Sequence, residues 1–259
     1  MKVIELYNKL CEIIPSSLSC DWDRDGLEAC PEPCREIKRV LVALDITGYV
    51  IDKAIKEKFD VIIAHHPLFF GGLSSINSLN ADGKRAVLLA KNDIAVMTFH
   101  TRLDAVSGGV NDVLASRLGL SDVEAVDSGS DTIMRLGNLE GEMSPEEFAR
   151  LVKSTLSDGG QEASIVLSSA DRKVKKVAVL GGSGGDYIAL AAQKGADTFV
   201  TGDMKYHQEL SALDFNINLI SAGHFFTEYP VCEFLRDLTE KLCPDVQVEI
   251  CFSNKIEVV

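Results

Sequence analysis

The stretch Val40–His66 recurs at Val177–Asp203, and a strand–helix–strand unit written twice in one chain restricts the possible folds more than any other feature. Without gaps, Val40-Leu-Val-Ala-Leu44 lies over Val177-Ala-Val-Leu-Gly181, and Glu57-Lys-Phe-Asp60 over Lys194-Gly-Ala-Asp197, both at a shift of 137 positions. Val61-Ile-Ile-Ala64 then overlies Thr198-Phe-Val-Thr201, so both second strands begin after an aspartate. In the first copy Val50, Ile51, Ala54 and Ile55 give the intervening helix an apolar face, and Thr47 is placed to cap it. Parallel strands joined by a helix need helices on the faces of their sheet. The expected fold class is therefore α/β: two related α/β halves from an internal duplication, residues 1–125 and 126–259, each a sheet flanked by helices. Strand ends of the two halves are expected to face a shared cleft.

The remaining pattern fills out these halves. Helical spacing runs over Val3–Ile14 and stops at Pro15, and further helices are expected over Lys84–Lys91 and Asn111–Leu118, the latter closed by Gly119. Strands are expected at Arg39–Asp45, Ile94–Phe99 and Ile165–Leu167. Ser144-Pro-Glu-Glu147 reads as a helix start, with Ser as N-cap, Pro at the first helical position and Glu three residues on. At 46% hydrophobic and 25% charged residues the chain can bury a core. Its net charge of −13 argues against a nucleic-acid backbone as partner. No apolar run reaches membrane-spanning length, and seven scattered cysteines, an odd number, suit a cytoplasmic protein with reduced thiols.

Chemistry concentrates at strand ends. Asp60-Val-Ile-Ile-Ala-His-His-Pro-Leu-Phe-Phe70 puts two histidines after a buried strand, where reactive groups of α/β proteins gather, and Pro67 stops the ladder. All five histidines, His65, His66, His100, His207 and His224, fall at or beyond predicted strand ends, and none is expected on the solvent face of a helix. The nearest carboxylates are Asp104, Asp203 and Glu228, each four residues from a histidine. The competing reading is that individual histidines are core or surface residues. Imidazole and carboxylate without thiolate suit zinc, iron, manganese, cobalt or nickel. Three imidazoles and two carboxylates are too many for one catalytic ion and suit a pair. Cys30-Pro-Glu-Pro-Cys34 lacks a second pair at zinc-site spacing and reads as a Pro-rich loop. Gly181-Gly-Ser-Gly-Gly185 is either a tight turn into a helix or an anion cradle of backbone amides.

Taken together, the His65-His66 segment, His100-Thr-Arg-Leu-Asp104 with Gly109-Val-Asn111, Gly181-Gly-Ser-Gly184, Thr201-Gly-Asp203 with Tyr206-His207, and Gly223-His-x2-Thr-Glu228 resemble the Nif-three-like family. These are dinuclear-metal proteins often called GTP cyclohydrolase 1 type 2 homologues. The resemblance extends from about Trp22 to the C-terminus. It implies two divalent metal ions per subunit on His65, His66, Asp104, His224 and Glu228. It also implies a toroidal homohexamer, and a short form without the domain that longer members insert between the halves. His100 or His207 would be the catalytic acid or base of a metal-dependent hydrolase of a small nucleotide-like substrate. The family label points to GTP ring opening, with water adding at the imidazole carbon of guanine and formate leaving. The alternative is a non-enzymatic, metal-containing scaffold or regulator that binds other proteins. Two positions depart from the family pattern: Arg24, where Asn is usual after Trp-Asp, and Arg102, where a small or amide residue is common; both bear on expected substrate contacts.

Overall fold

Val40, Leu41 and Val42 are fully buried because they lie in a central parallel strand, covered on both faces. The computed structural model describes residues 1–256 and divides into two units, each with its own sheet. The first unit comprises Met1–Leu103 and Val231–Asn254. Its elements are α1 (Val3–Ile13), β1 (Leu27–Ala29), β2 (Arg39–Ala43), α2 (Gly48–Glu57), β3 (Val61–Ala64), α3 (Ala81–Lys91) and β4 (Ala95–Thr98). A short α4 (Thr101–Ala105) contains the boundary between the units. The second unit, Asp104–Pro230, holds α5 (Val110–Arg117), β5 (Ser121–Ala125), β6 (Arg135–Met143), α6 (Pro145–Leu156), β7 (Val166–Ser168) and β8 (Val174–Leu180). It continues with α7 (Ile188–Gln193), β9 (Thr198–Thr201), α8 (Tyr206–Asp214), β10 (Asn218–Ser221) and α9 (His224–Glu228). The chain then returns to the first unit with α10 (Val231–Leu242) and β11 (Gln247–Cys251).

The first sheet has the order β1-β4-β3-β2-β11 and the second β5-β6-β8-β9-β10-β7. They share a plan. In the first, parallel β2, β3 and β4 carry β1 antiparallel on β4; in the second, parallel β8, β9 and β10 carry β7 antiparallel on β10. Registers agree with the sequence repeat: Val40 pairs with Val61 and Val177 with Thr198. The aspartate before each second strand has a structural reason to recur. Asp60 Oδ2 accepts from the amides of Lys38 and Arg39, and Asp197 Oδ2 from those of Lys175 and Lys176, again 137 positions on. Each carboxylate thus satisfies amides at the start of the preceding strand. These matches fit an internal duplication.

The units differ from the expected division at residue 125. Leu114 of α5, and Leu118 and Leu120 between α5 and β5, belong to the second core, together with Phe148, Val152 and Val177. At the other end, β11 pairs in parallel with β2 from Gln247–Arg39 to Cys251–Ala43, which draws α10 and β11 back to the first sheet. Alternation of side chains divides the second core between two faces. Val177, Val179, Val200 and Ile220 face the α5 and α6 side, whereas Ala178, Leu180, Phe199 and Leu219 face the α7 and α8 side. No helix among the described residues is long and apolar enough to cross a membrane.

The start of α6 follows the expected pattern. Ser144 Oγ accepts from Glu147 N at 3.2 Å, and Glu147 Oε2 accepts from Ser144 N at 2.8 Å. Ser144→Ala is expected to lower unfolding free energy by about 1 kcal/mol, measured as a shift in the chemical-denaturation midpoint at constant slope. An unchanged midpoint would show that water replaces the cap without cost.

Candidate metal centre

The apolar run of β3 is buried along its whole length, and it delivers His65 and His66 to its carboxyl end as buried side chains. The His66 amide donates to Leu44 O, which carries the chain one residue past the strand before Pro67 turns it. His100 arrives from the end of β4. The ring centroids of His65 lie 4.8 Å from His66 and 5.3 Å from His100, and those of His66 and His100 are 5.7 Å apart. One ring nitrogen from each of the three lies within 4.8 Å of the others, close enough for a shared metal ion.

The tautomers are set from behind. His65 Nδ1 donates to Phe99 O at 2.9 Å, His66 Nδ1 to Asp45 Oδ1 at 2.8 Å, and His100 Nδ1 to Asp23 Oδ1 at 2.9 Å. With the proton held on Nδ1, Nε2 carries the lone pair of the neutral ring, an arrangement typical of metal-ligating histidine. Asp23 does more than orient a ring: its other oxygen accepts from Thr101 N at 2.9 Å and Thr101 Oγ1 at 2.6 Å. Burial works against its ionisation, but the hydrogen bonds from His100 and Thr101 outweigh it and hold the carboxyl well below the usual range. Asp25, two residues on, accepts from His100 N at 2.7 Å and from Arg102 Nε at 2.8 Å. The Asp23–Asp25 loop therefore fixes both the ring and the main chain of His100.

The second unit has its own donor set. His224 and Glu228 sit four apart on α9, with His224 Nε2 3.0 Å from Glu228 Oε2, and Asp203 Oδ2 accepts from His224 Nδ1 at 2.8 Å. Asp104 and Glu228 are buried. Asn111 links them indirectly: its Nδ2 donates to Asp104 O at 3.3 Å and its Oδ1 accepts from Gly181 N at 2.7 Å. The glycine loop packs directly on Glu228. A Cβ at Gly181 would stand 3.0 Å from Glu228 Cγ, and one at Gly182 would overlap Glu228 Oε1 and stand 3.2 Å from His224 Nε2. The amides of Gly181, Gly182 and Gly184 donate to Asn111, Thr227 and Thr201 respectively. Those donors are spent within the protein, so the loop acts as a tight turn supporting Glu228 and not as an anion cradle built on these amides.

Sequence reasoning located the histidines and carboxylates but not Asp23 or the Phe99 carbonyl. Asp23 lies in an irregular stretch, and a carbonyl leaves no residue-type signal. His207 differs from expectation: it is exposed on the first turn of α8, and among the described residues it joins none of the metal-competent groups. His100 and His224, both beyond strand ends, do not occupy equivalent positions of the repeat. Phe99 N donates to Ala64 O and Ala222 N to Thr201 O, which places Gly223, at φ 80°, opposite His100 and His224 one residue later. Cys30 and Cys34 join no metal-competent group among the described residues, and burial together with Glu32 pushes the Cys30 thiol up, away from the thiolate a metal needs.

The donors present, neutral imidazole and carboxylate held by outer partners, fit a divalent ion. Known proteins agree with this architecture. A GTP cyclohydrolase 1 type 2 homolog of Clostridium perfringens is 34% identical over 253 residues, covering 95% of each chain. A Bacillus cereus protein related to NIF3 superposes with a TM-score of 0.89 at 25% identity, over 100% of this chain and 99% of that one. A Staphylococcus aureus hypothetical protein, SA1388, gives the same TM-score and coverage at 28% identity. The Duf34/NIF3 (NGG1p interacting factor 3) family model matches residues 1–257, and this chain belongs to that family.

Proposed function

We propose that the protein is a metal-dependent hydrolase of a small, nucleotide-like molecule, holding two divalent ions per subunit on His65, His66, Asp104, His224 and Glu228. The observation that carries this reading is that His65, His66, His100 and His224 each present Nδ1 to an oxygen acceptor. Four histidines oriented alike, each with Nδ1 toward an oxygen, are a poor match for accidental packing. Bound divalent ions would supply a water acidified to near neutrality and polarise the bond under attack. His100, whose ring is gripped by Asp23, would take or return a proton at Nε2. His207, exposed on α8, is the second candidate for that exchange. The relatives' name, GTP cyclohydrolase 1 type 2 homolog, supports a nucleotide substrate.

The same reading includes a cytoplasmic homohexamer. Tyr206, Leu210 and Leu213 are exposed along one face of α8, an apolar stripe suited to burial between copies. A solution mass of one chain by light scattering would count against the ring.

Elemental analysis of protein purified without added metal, paired with a nucleotide and phosphoester hydrolysis screen, tests the chemistry. About two ions per chain are expected in the wild type and a marked loss in a His65→Ala, Glu228→Ala double variant. Less than about one ion per chain in the wild type, unchanged in the variant, would remove the dinuclear reading. Wild-type turnover in the variant would remove the hydrolase reading alone.

A further inference from the structure

In the first unit a cavity of about 270 Å³ opens at the carboxyl ends of β2 and β3, bounded by Ile46, His66, Leu68, Phe70 and Arg85. The second unit has a cavity of about 260 Å³ at the corresponding strand ends. At the shift of 137 positions Ile46 becomes Ser183, His66 becomes Asp203 and Leu68 becomes Lys205, all three in its lining, whereas Phe70 becomes His207, which is not. The crevice therefore belongs to the duplicated plan, at the place where open α/β sheets receive ligands. Only the copy beside the three histidines has an aromatic wall. Phe70 is 67% exposed; its ring lies 5.6 Å from that of His100 at 86° and 6.0 Å from that of His66 at 46°, so neither imidazole is stacked parallel on it. Arg85, paired with Asp82 at 3.6 Å, adds a planar set of donors to the lining.

We propose that this crevice seats a planar heteroaromatic ring, stacked on Phe70 with an edge acceptor of the ring hydrogen-bonded by Arg85. An open aromatic face favours a flat π-system over a saturated ring, and a guanidinium beside it favours a ring with oxo or nitrogen acceptors over a hydrocarbon. The proposal deepens the hydrolase reading and rests on it, because it takes the neighbouring histidines as the reaction centre.

Trp22 is the chain's single tryptophan, is 67% exposed, and stands edge-on to His100 at 5.9 Å, so its fluorescence reports on this neighbourhood. Guanosine 5′-monophosphate and ribose 5-phosphate, titrated separately into metal-free and zinc-loaded protein, distinguish ring from phosphate recognition. The monophosphate is expected to bind and to change the Trp22 emission, and ribose 5-phosphate to bind at least about tenfold more weakly. Phe70→Ala is expected to weaken the monophosphate about tenfold or more, Phe70→Tyr to restore it, and Arg85→Ala to weaken it as well. Equal affinity for the two probes, no binding of the monophosphate, or wild-type affinity in Phe70→Ala would overturn the proposal. Metal content measured on the same samples keeps the readings apart: ring binding with no metal in the native protein sinks the hydrolase and spares the subsite.

Discussion

Arg102→Met is expected to destabilise the protein by about 3–5 kcal/mol, the cost of leaving a buried charge without its counter-ion. Arg102 is fully buried, and its Nε donates to Asp25 Oδ2 at 2.8 Å. Its remaining nitrogens donate to Ile14 O at 3.3 Å and Thr98 O at 3.2 Å, and its guanidinium lies 4.6 Å from the Phe99 ring centroid. Burial opposes its charge, but Asp25 and Tyr7 more than offset that and raise its pKa. Methionine would fill the volume yet leave Asp25 with the His100 amide, the Ser19 hydroxyl and no cation. The pair should therefore be strongly coupled. In an Asp25→Asn, Arg102→Met double variant much of the single variant's loss is expected to return, because no uncompensated charge remains. Chemical denaturation of the four proteins in the cycle measures this. A single variant within about 1 kcal/mol of wild type, or strictly additive losses, would show that water reaches Asp25 and that the pair is not buried in solution.

That pair also explains a departure visible in the sequence. Arg102 stood out beside His100 as a residue bearing on substrate contacts, but its partners are protein groups: Asp25, Ile14 and Thr98. Nothing in the local pattern joins Asp25 to Arg102, because they meet across 77 positions only when the irregular 20–26 segment is laid along the end of β4. The central strands were legible for the opposite reason. Buried parallel strands read as short continuous apolar runs, and Val61–Ala64 carries that signal locally; Thr198–Thr201, with a threonine at each end, is legible through the repeat, and a preceding aspartate marks the register of both. The unit boundary was not legible, since the assignment of α10 and β11 depends on β11 pairing with β2 across the whole chain. The histidines were readable as residue types at strand ends, whereas their orientation was not. Asp45 stands at the end of an expected strand, whereas Asp23 lies in a stretch without such a pattern. The placement of His207 was not legible, because Thr201-Gly-Asp203 marks a strand end, yet the chain enters α8 before reaching it and leaves the side chain in solvent.

Gly182→Ala is expected to lower the affinity for divalent metal roughly 10- to 100-fold, as loss of support behind a ligand usually does. Two effects operate at this residue and can be separated. Its φ of 68° is left-handed, which costs an L-residue about 1–2 kcal/mol. Independently, an added Cβ would overlap Glu228 Oε1 and approach His224 Nε2, so the carboxylate and imidazole must move apart from the loop. The surroundings offer little slack: Gly182 N donates to Thr227 Oγ1, and Gly182 O accepts from the amides of Gly202 and Asp203. Gly160 provides the control, with φ 78° and nothing within 4 Å of an added Cβ. Gly160→Ala should show the backbone strain as a loss of stability and leave metal affinity unchanged. If zinc titration gives Gly182→Ala the wild-type affinity while both variants lose the same stability, the close approach of this loop to Glu228 has no part in metal binding. If only Gly182→Ala loses affinity, the glycine is retained because the backbone must lie against the carboxylate, and the repeated loop has been adapted in the second unit to hold a metal ligand in place.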